Sequence, residues 1–241
     1  MRTAILALGT AFLVAGCGGS DVKSDEPYPL PMGSQPVKLD PADFVGRIDT
    51  AYWPMARGSR WTYRETDAEG NTQRVEVTVT ERTKTILGID ATVVRDQVTE
   101  DGEVVENTFD WYAQDKWGGL WYLGEKTAEY ENGKLKSTEG SWEAGVDGAQ
   151  PGYIVPPDPE VGMSYRQEYY AGEAEDEGEI LSLDEHAEVP FGKYDHVMKT
   201  RDTTPLEPDV VEQKFYAKGV GPVLTTDNSG SREELLTFTR G

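Results

Sequence analysis

The chain has 241 residues, with 44 Asp and Glu against 23 Lys and Arg, and a formal net charge of −21. Such a charge repels phosphate backbones and sets nucleic acid aside as a partner. A single cysteine allows no internal disulfide, so the stability of any folded domain has to come from a hydrophobic core.

The sequence opens with Arg2 and an apolar run from Ala4 to Ala15, interrupted only by Gly9 and Thr10. About twelve residues is the length of a signal-peptide core and too short for a membrane-spanning helix. The run ends in Val14-Ala15-Gly16-Cys17. This order of charge, apolar run, small pair and cysteine resembles the bacterial lipobox. The resemblance implies that residues 1–16 are a lipoprotein signal peptide and that Cys17 becomes a lipidated N-terminus, so that one partner is the membrane itself. Each buried methylene contributes about 0.8 kcal/mol, which is why two or three acyl chains anchor firmly where one does not. Cleavage would remove Arg2 and no acid, leaving the mature chain more acidic still. Residues 18 and 19 are glycines. In enteric bacteria an aspartate just after the cysteine retains a lipoprotein at the inner membrane. Its absence points to the outer membrane, or to the outer face of the plasma membrane in a cell without one.

Residues 17–41 read as the lipidated cysteine and a tether, because Pro27, Pro29, Pro31, Pro36 and Pro41 favour extended backbone and disfavour helix. Residues 42–241 read as one all-β domain, an antiparallel meander forming a strongly curved sheet or open barrel with minimal helix. Val75, Val77 and Val79 alternate with Arg74, Glu76, Thr78 and Thr80, the period-two mark of a half-buried strand. Similar runs recur to the end of the chain, as in RWTYRET, ATVVRDQVTE, EVVENTFDWYA, LWYLGE, GEILSLDEHAEV, VVEQKFYA and EELLTFTR. Between them, Asp101-Gly102, Asn132-Gly133 and Asp227–Gly230 supply hairpin-turn chemistry. The best short helix is PADFVGRI, with Asp40 as cap and Pro41 in the first turn. Residues 139–159 interrupt the meander as an ordered excursion carrying Trp142, Tyr153, Ile154 and Val155 to pack down with.

The stretches YWPMARGSRWTY, NTFDWYAQDKWGGLWYLGE and EGSWEAGVDGAQPG resemble a family of uncharacterised bacterial secreted lipoproteins over nearly the whole domain. The resemblance implies a β-rich cell-envelope protein related in shape to the curved sheets of lipoprotein carriers. It brings no activity and no catalytic residues.

Chemistry-bearing residues are sparse apart from carboxylates. No nucleophile elbow, zinc helix or phosphate-binding loop is present, so no catalytic residue and no cofactor are assigned. His186, His196 and Met198 suggest a soft copper pattern but read better as unrelated side chains, and no metal ligands are assigned. The acidic groups Glu100–Glu106 and Glu173–Glu179 read as solvated, repulsive surface. Trp111 alternates with Phe109 and Ala113, which suits an inward, core-filling face. Trp117, Trp121 and Tyr122 crowd around the Gly118-Gly119 bend and are the candidate ligand contacts, with a small molecule, a sugar or an envelope protein as partner. The expectation is a lipid-anchored envelope protein with a non-enzymatic binding or structural role. Its rivals are a carrier for lipidic cargo in the curved sheet and a carboxylate-dependent hydrolase on carbohydrate or ester. The anchor is directly testable: Cys17→Ser should remove the protein from the membrane fraction, and a variant that still fractionates with membranes as the wild type does overturns the lipobox reading.

Overall fold

The computed structural model describes residues 25–241. The signal-like segment, Cys17 and the first residues of the tether lie outside the described residues. After a single 3-10 turn at Pro41–Asp43, capped by Asp40 Oδ1 accepting from the Ala42 amide at 2.9 Å, the chain is strand after strand. The first half holds β1 (Phe44–Val45), β2 (Arg60–Thr66), β3 (Thr72–Ile86), β4 (Ile89–Glu100), β5 (Glu103–Asp115), β6 (Leu120–Lys126), β7 (Glu129–Glu131) and β8 (Lys134–Ser137). The second holds β9 (Trp142–Glu143), β10 (Gln150–Val155), β11 (Ser164–Arg166), β12 (Glu168–Tyr169), β13 (Glu177–Val189), β14 (Gly192–Thr203), β15 (Val211–Ala217), β16 (Gly221–Asp227) and β17 (Arg232–Thr239). Among the described residues no helix is long and apolar enough to cross a membrane.

All pairings among these strands are antiparallel, and the sheet forms a nearly closed barrel. Strands β2 to β6 and β13 to β17 are two runs of hairpins, and β17 returns to β2 with Leu235 opposite Tyr63. The other seam is shorter. There β6 pairs with β10, β10 with β12, and β11 with β13. Closure leaves few free strand edges, which is how an all-β domain avoids edge-to-edge association. The turns follow the expected chemistry: Asp101 and Gly102 have φ of 51° and 87°, and Asn132 and Gly133 have 51° and 70°. Leu87, at φ 52° before Gly88, has no such sequence signal and occupies a conformation that favours glycine.

Pairing Arg74 with Thr99 and Arg232 with Thr66 sets the turns 66–72, 100–103 and 227–231 at one end of the barrel. The turns 86–89 and 115–120 lie at the other. Val75, Val77 and Val79 are buried as their alternation requires, and Trp61, Leu120, Trp121, Ile180, Val197 and Met198 are fully enclosed. The excursion at 139–159 packs down through Trp142, Tyr153 and Val155, and it supplies the seam strand β10.

One stripe faces the opposite way from expectation. Phe109, Trp111 and Ala113 lie on the outer side of β5, while its inner side carries Asp110 and Tyr112. Trp111 is still 7% exposed, because Lys84 sits 3.4 Å above its ring and is held there by Glu143 at 2.6 Å. Alternation alone cannot tell the two sides of a barrel wall apart when both are covered.

From Asp25 onward the proline-rich segment is extended, as the prolines dictate, and lies against the barrel. Tyr28, Leu30 and Val37 pack on the core and Leu39 is buried within it. Fully buried Arg166 fastens this strap. Its guanidinium donates to the carbonyls of Gly33 (2.6 Å), Gln35 (2.7 Å) and Pro151 (2.6 Å), and its amide donates to Pro31 at 2.7 Å. Burial without a carboxylate partner pulls the guanidinium down to about 10.

Trp121 should therefore be structural and Trp117 much less so. Truncating Trp121 to alanine is expected to cost about 3–5 kcal/mol, whereas Trp117→Ala, which uncovers a half-buried ring at a turn, should cost less than half as much. Thermal melts of the two variants give the comparison, and equal losses would contradict this packing.

Candidate functional site

The barrel is not filled. Its interior holds a cavity of about 360 Å³, within the size range of small-molecule sites. Side chains reach it because strands send alternate residues inward: Asp96 from β4, Tyr112 from β5, Lys214 and Tyr216 from β15, and Glu233 from β17. One wall is aromatic. Trp53 lies 6.2 Å from Tyr216 and 5.6 Å from Tyr112, centroid to centroid, and Tyr112 stacks on Tyr122 at 4.9 Å. Trp142 then meets Tyr122 edge-on at 5.4 Å. Trp53 itself comes from the loop before β2, where Gly221 gives it room: a Cβ at Gly221 would lie 2.5 Å from the indole.

Acids share this lining with the rings. Asp96, Glu125, Glu168, Asp176 and Glu233 line the cavity with Lys214 as the one cation among them. Burial would lower the Lys214 ammonium, but Asp202 at 3.0 Å and Glu212 at 3.3 Å hold it well above its usual value. The ammonium also favours the ionised forms of Glu168, Asp176 and Glu233, but it is the one cation these carboxyls share. Burial and mutual repulsion push Asp96, Asp110 and Glu125 up to about 8 and Glu233 to about 7. Burial, with Asp176 nearby, also raises Glu168, although it accepts a hydrogen bond from Trp142 Nε1 at 2.7 Å. Asp110 accepts from the Tyr122 hydroxyl at 2.8 Å. Two buried polar atoms on the cavity have no partner: Asp96 Oδ1, an acceptor, and Trp53 Nε1, a donor.

A second hollow of about 470 Å³ shares Asp96, Lys214, Thr225 and Glu233 with the first and continues past Glu65 and Glu106 to Asp227 and Ser231. It leads from the interior to the barrel end that carries the 227–231 turn, and it is the mouth of the site.

The structure separates the three residues proposed from sequence. Tyr122 lines the cavity. Trp121 points to the other side of the same strand, fully buried against Tyr153, Tyr28 and Phe44. Trp117 lies at the β5–β6 turn under the edge of Tyr28, and its Nε1 donates to the Asp25 carbonyl at 2.8 Å. His186 and His196 are exposed beside Asp195 and Asp184, whereas Met198 is fully buried, so the three do not meet. Asp176 departs from its acidic run, since its side chain turns into the cavity instead of into solvent. Trp53, Asp96, Lys214 and Glu233 were not singled out from sequence. Asp96 does leave a trace there, as an acid on the same face as Val94 and Val98, in a stripe that should otherwise be apolar.

The sequence matches no protein family and no curated protein. Two solved structures are similar in fold. One is a presumed exported protein with a YmcC-like fold from Bacteroides fragilis, at 13% identity and TM-score 0.48, covering 79% of this chain and 100% of that one. The other is a presumed lipoprotein from Parabacteroides distasonis, at 16% identity and TM-score 0.46, covering 79% of this chain and 99% of that one.

The interior acids give stability a definite pH dependence. Each holds its proton more tightly folded than unfolded, so its contribution is complete below the unfolded value near 4 and is lost as pH rises toward about 8. The protein should melt several degrees lower at pH 8 than at pH 5, and Asp96→Asn should raise the pH 8 melting point and narrow the gap. Carboxyls held low by hydrogen bonds, such as Asp67 and Asp227, act only at lower pH and leave this window clear. A melting point that is flat or rises from pH 5 to pH 8 would contradict the assignment.

Proposed function

We propose that the protein is a lipid-anchored cell-envelope binding protein that holds a small ligand inside its barrel. The observation that carries this reading is an interior cavity lined by aromatic rings together with five carboxyls, one of which, Asp96, has an oxygen without a partner. Interior polar groups are ordinarily satisfied. A fold that buries Asp96 Oδ1 and Trp53 Nε1 without partners, in residues that line this cavity, gives up stability there, as binding sites do.

The lining argues against lipidic cargo. An acyl chain in this cavity would bury Asp96, Glu125, Glu168 and Glu233 against hydrocarbon without offering any of them a hydrogen bond. Carboxyls raised to about 7 or 8 are also the chemistry of a general acid, which keeps a hydrolase as the second reading. Native mass spectrometry of the full-length protein, released gently from membranes, tests both. A small molecule that stays bound in the folded protein and is shed unchanged on denaturation is the expected result. A fatty acid or phospholipid in its place favours the carrier, and turnover of a supplied glycoside or ester that is abolished by Glu233→Gln favours the hydrolase.

A further inference from the structure

The interior site gathers carboxyls for which its lining supplies no cation beyond Lys214. Asp96, Glu125, Glu168, Asp176 and Glu233 all line the cavity, and the sole ammonium there, Lys214, is paired with Asp202 and Glu212. Among these carboxyls the lining also holds Trp53, Tyr63, Tyr112, Tyr122 and Tyr216, rings whose electron-rich faces attract a positive charge brought out of water. Among the described residues no group of acidic and histidine side chains is arranged to hold a metal ion. A neutral sugar could stack on the rings but would offer the carboxyls no counter-charge. The two unpartnered atoms complete the description: Asp96 Oδ1 needs a donor, and Trp53 Nε1 needs an acceptor.

Resting on the binding-protein reading above, we propose that the ligand is a small organic ammonium compound carrying an oxygen acceptor a few bonds from its nitrogen. The ammonium lies against Asp96 and the aromatic wall, and the oxygen accepts from Trp53 Nε1. Glu65 and Glu106, at the mouth, give an incoming cation an attractive path.

Protonation is part of the recognition. Asp96 is faced by Glu65 on β2, Glu106 and Asp110 on β5, Glu125 on β6 and Glu233 on β17, with Lys214 on β15 across the shared cavity. These carboxyls hold the Asp96 proton in the empty barrel. A bound ammonium favours the ionised carboxylate, so Asp96 passes its proton to solvent as the ligand enters. Affinity should therefore rise with pH until the amine itself begins to lose its proton, near 10 for an alkylamine of the lysine kind.

Three probes of matched length separate the contributions: 5-aminopentan-1-ol, hexan-1-amine and hexan-1-ol, titrated into the full-length protein with Trp fluorescence and calorimetry as readouts. At pH 8 the amino alcohol should bind best, the amine more weakly, and the alcohol at least about ten-fold more weakly than either. Both cations should bind about ten-fold less tightly at pH 6 than at pH 8, and calorimetry in buffers of different ionisation enthalpy should show proton release on binding. Asp96→Asn should weaken the two cations and flatten their pH dependence while leaving hexan-1-ol unchanged. Its melting point, expected to rise at pH 8, shows that the variant is folded. Hexan-1-ol binding as tightly as the amines, or cation binding indifferent to pH and to Asp96→Asn, overturns the inference while leaving a barrel that binds small molecules. No binding by any probe at millimolar concentration overturns it too, and whether the binding-protein reading then survives is decided by the co-purified mass in native mass spectrometry.

Discussion

One carboxylate holds the barrel's shorter seam together. Asp115 is fully buried at the end of β5 and accepts four hydrogen bonds. They come from the amides of Trp117 (3.0 Å) and Gly119 (2.9 Å), from Trp121 Nε1 (2.9 Å) and from the Tyr153 hydroxyl (3.0 Å). The first two fix the β5–β6 turn, the third sets the rotamer of the largest ring in β6, and the fourth reaches β10 across the seam. Four donors satisfy a polar group that would otherwise be costly to bury. Gly119 belongs to the same construction, since a Cβ there would strike both the Tyr153 ring and the Asp115 carboxylate. Strands β6 and β10 share only three register pairs, so backbone pairing alone is a thin closure. The side chains gathered on Asp115 make it a firm one.

The interior carboxyls show the opposite treatment of the same chemical group. Asp115 is buried with every need met, whereas Asp96 is enclosed with one oxygen unpartnered and acids on several sides. Both are aspartates in strands of one sheet, and the difference lies in what faces them. A buried carboxyl without donors responds by holding its proton, which makes the empty barrel least content at the pH where a cation would be most welcome. Stability given up in the empty state is regained on binding, because a ligand that favours the folded form stabilises it by mass action.

The wall was legible in the sequence and the cavity was not. Strand positions follow from period-two alternation, and hairpins from residues such as Asn132-Gly133, whose φ values are dictated locally. Which side of a strand is inside depends on what covers the outside. For Trp111 that cover is Lys84, from a different strand, held by Glu143 beyond the aromatic hairpin. The proline-rich segment shows the same division. Its extended backbone follows from the prolines, but its docking needs Arg166, 133 residues from Gly33 in sequence. The cavity depends on side chains from β2, β4, β5, β6, β15 and β17 meeting in space, and a lone acid within an apolar stripe, as at Asp96, is the one local sign of it.

The docked strap also orients the site. Asp25 meets Trp117 at the β5–β6 turn, whereas the mouth opens past Glu65 and Asp227 at the opposite end of the barrel. From Cys17 to Asp25 is a reach of at most about 28 Å for a fully extended chain, taking roughly 3.5 Å per residue. If Cys17 carries the lipid, as proposed above, the barrel is held close to the membrane by the end remote from its mouth. A carrier that takes cargo out of a bilayer would want its opening near the lipid surface. A receptor for a water-soluble cation wants it facing solvent, with the acidic rim outermost and repelling anionic headgroups. With a lipid at Cys17, the position of the strap, which owes nothing to the chemistry of the cavity, would favour the same class of ligand as the carboxyls and rings inside.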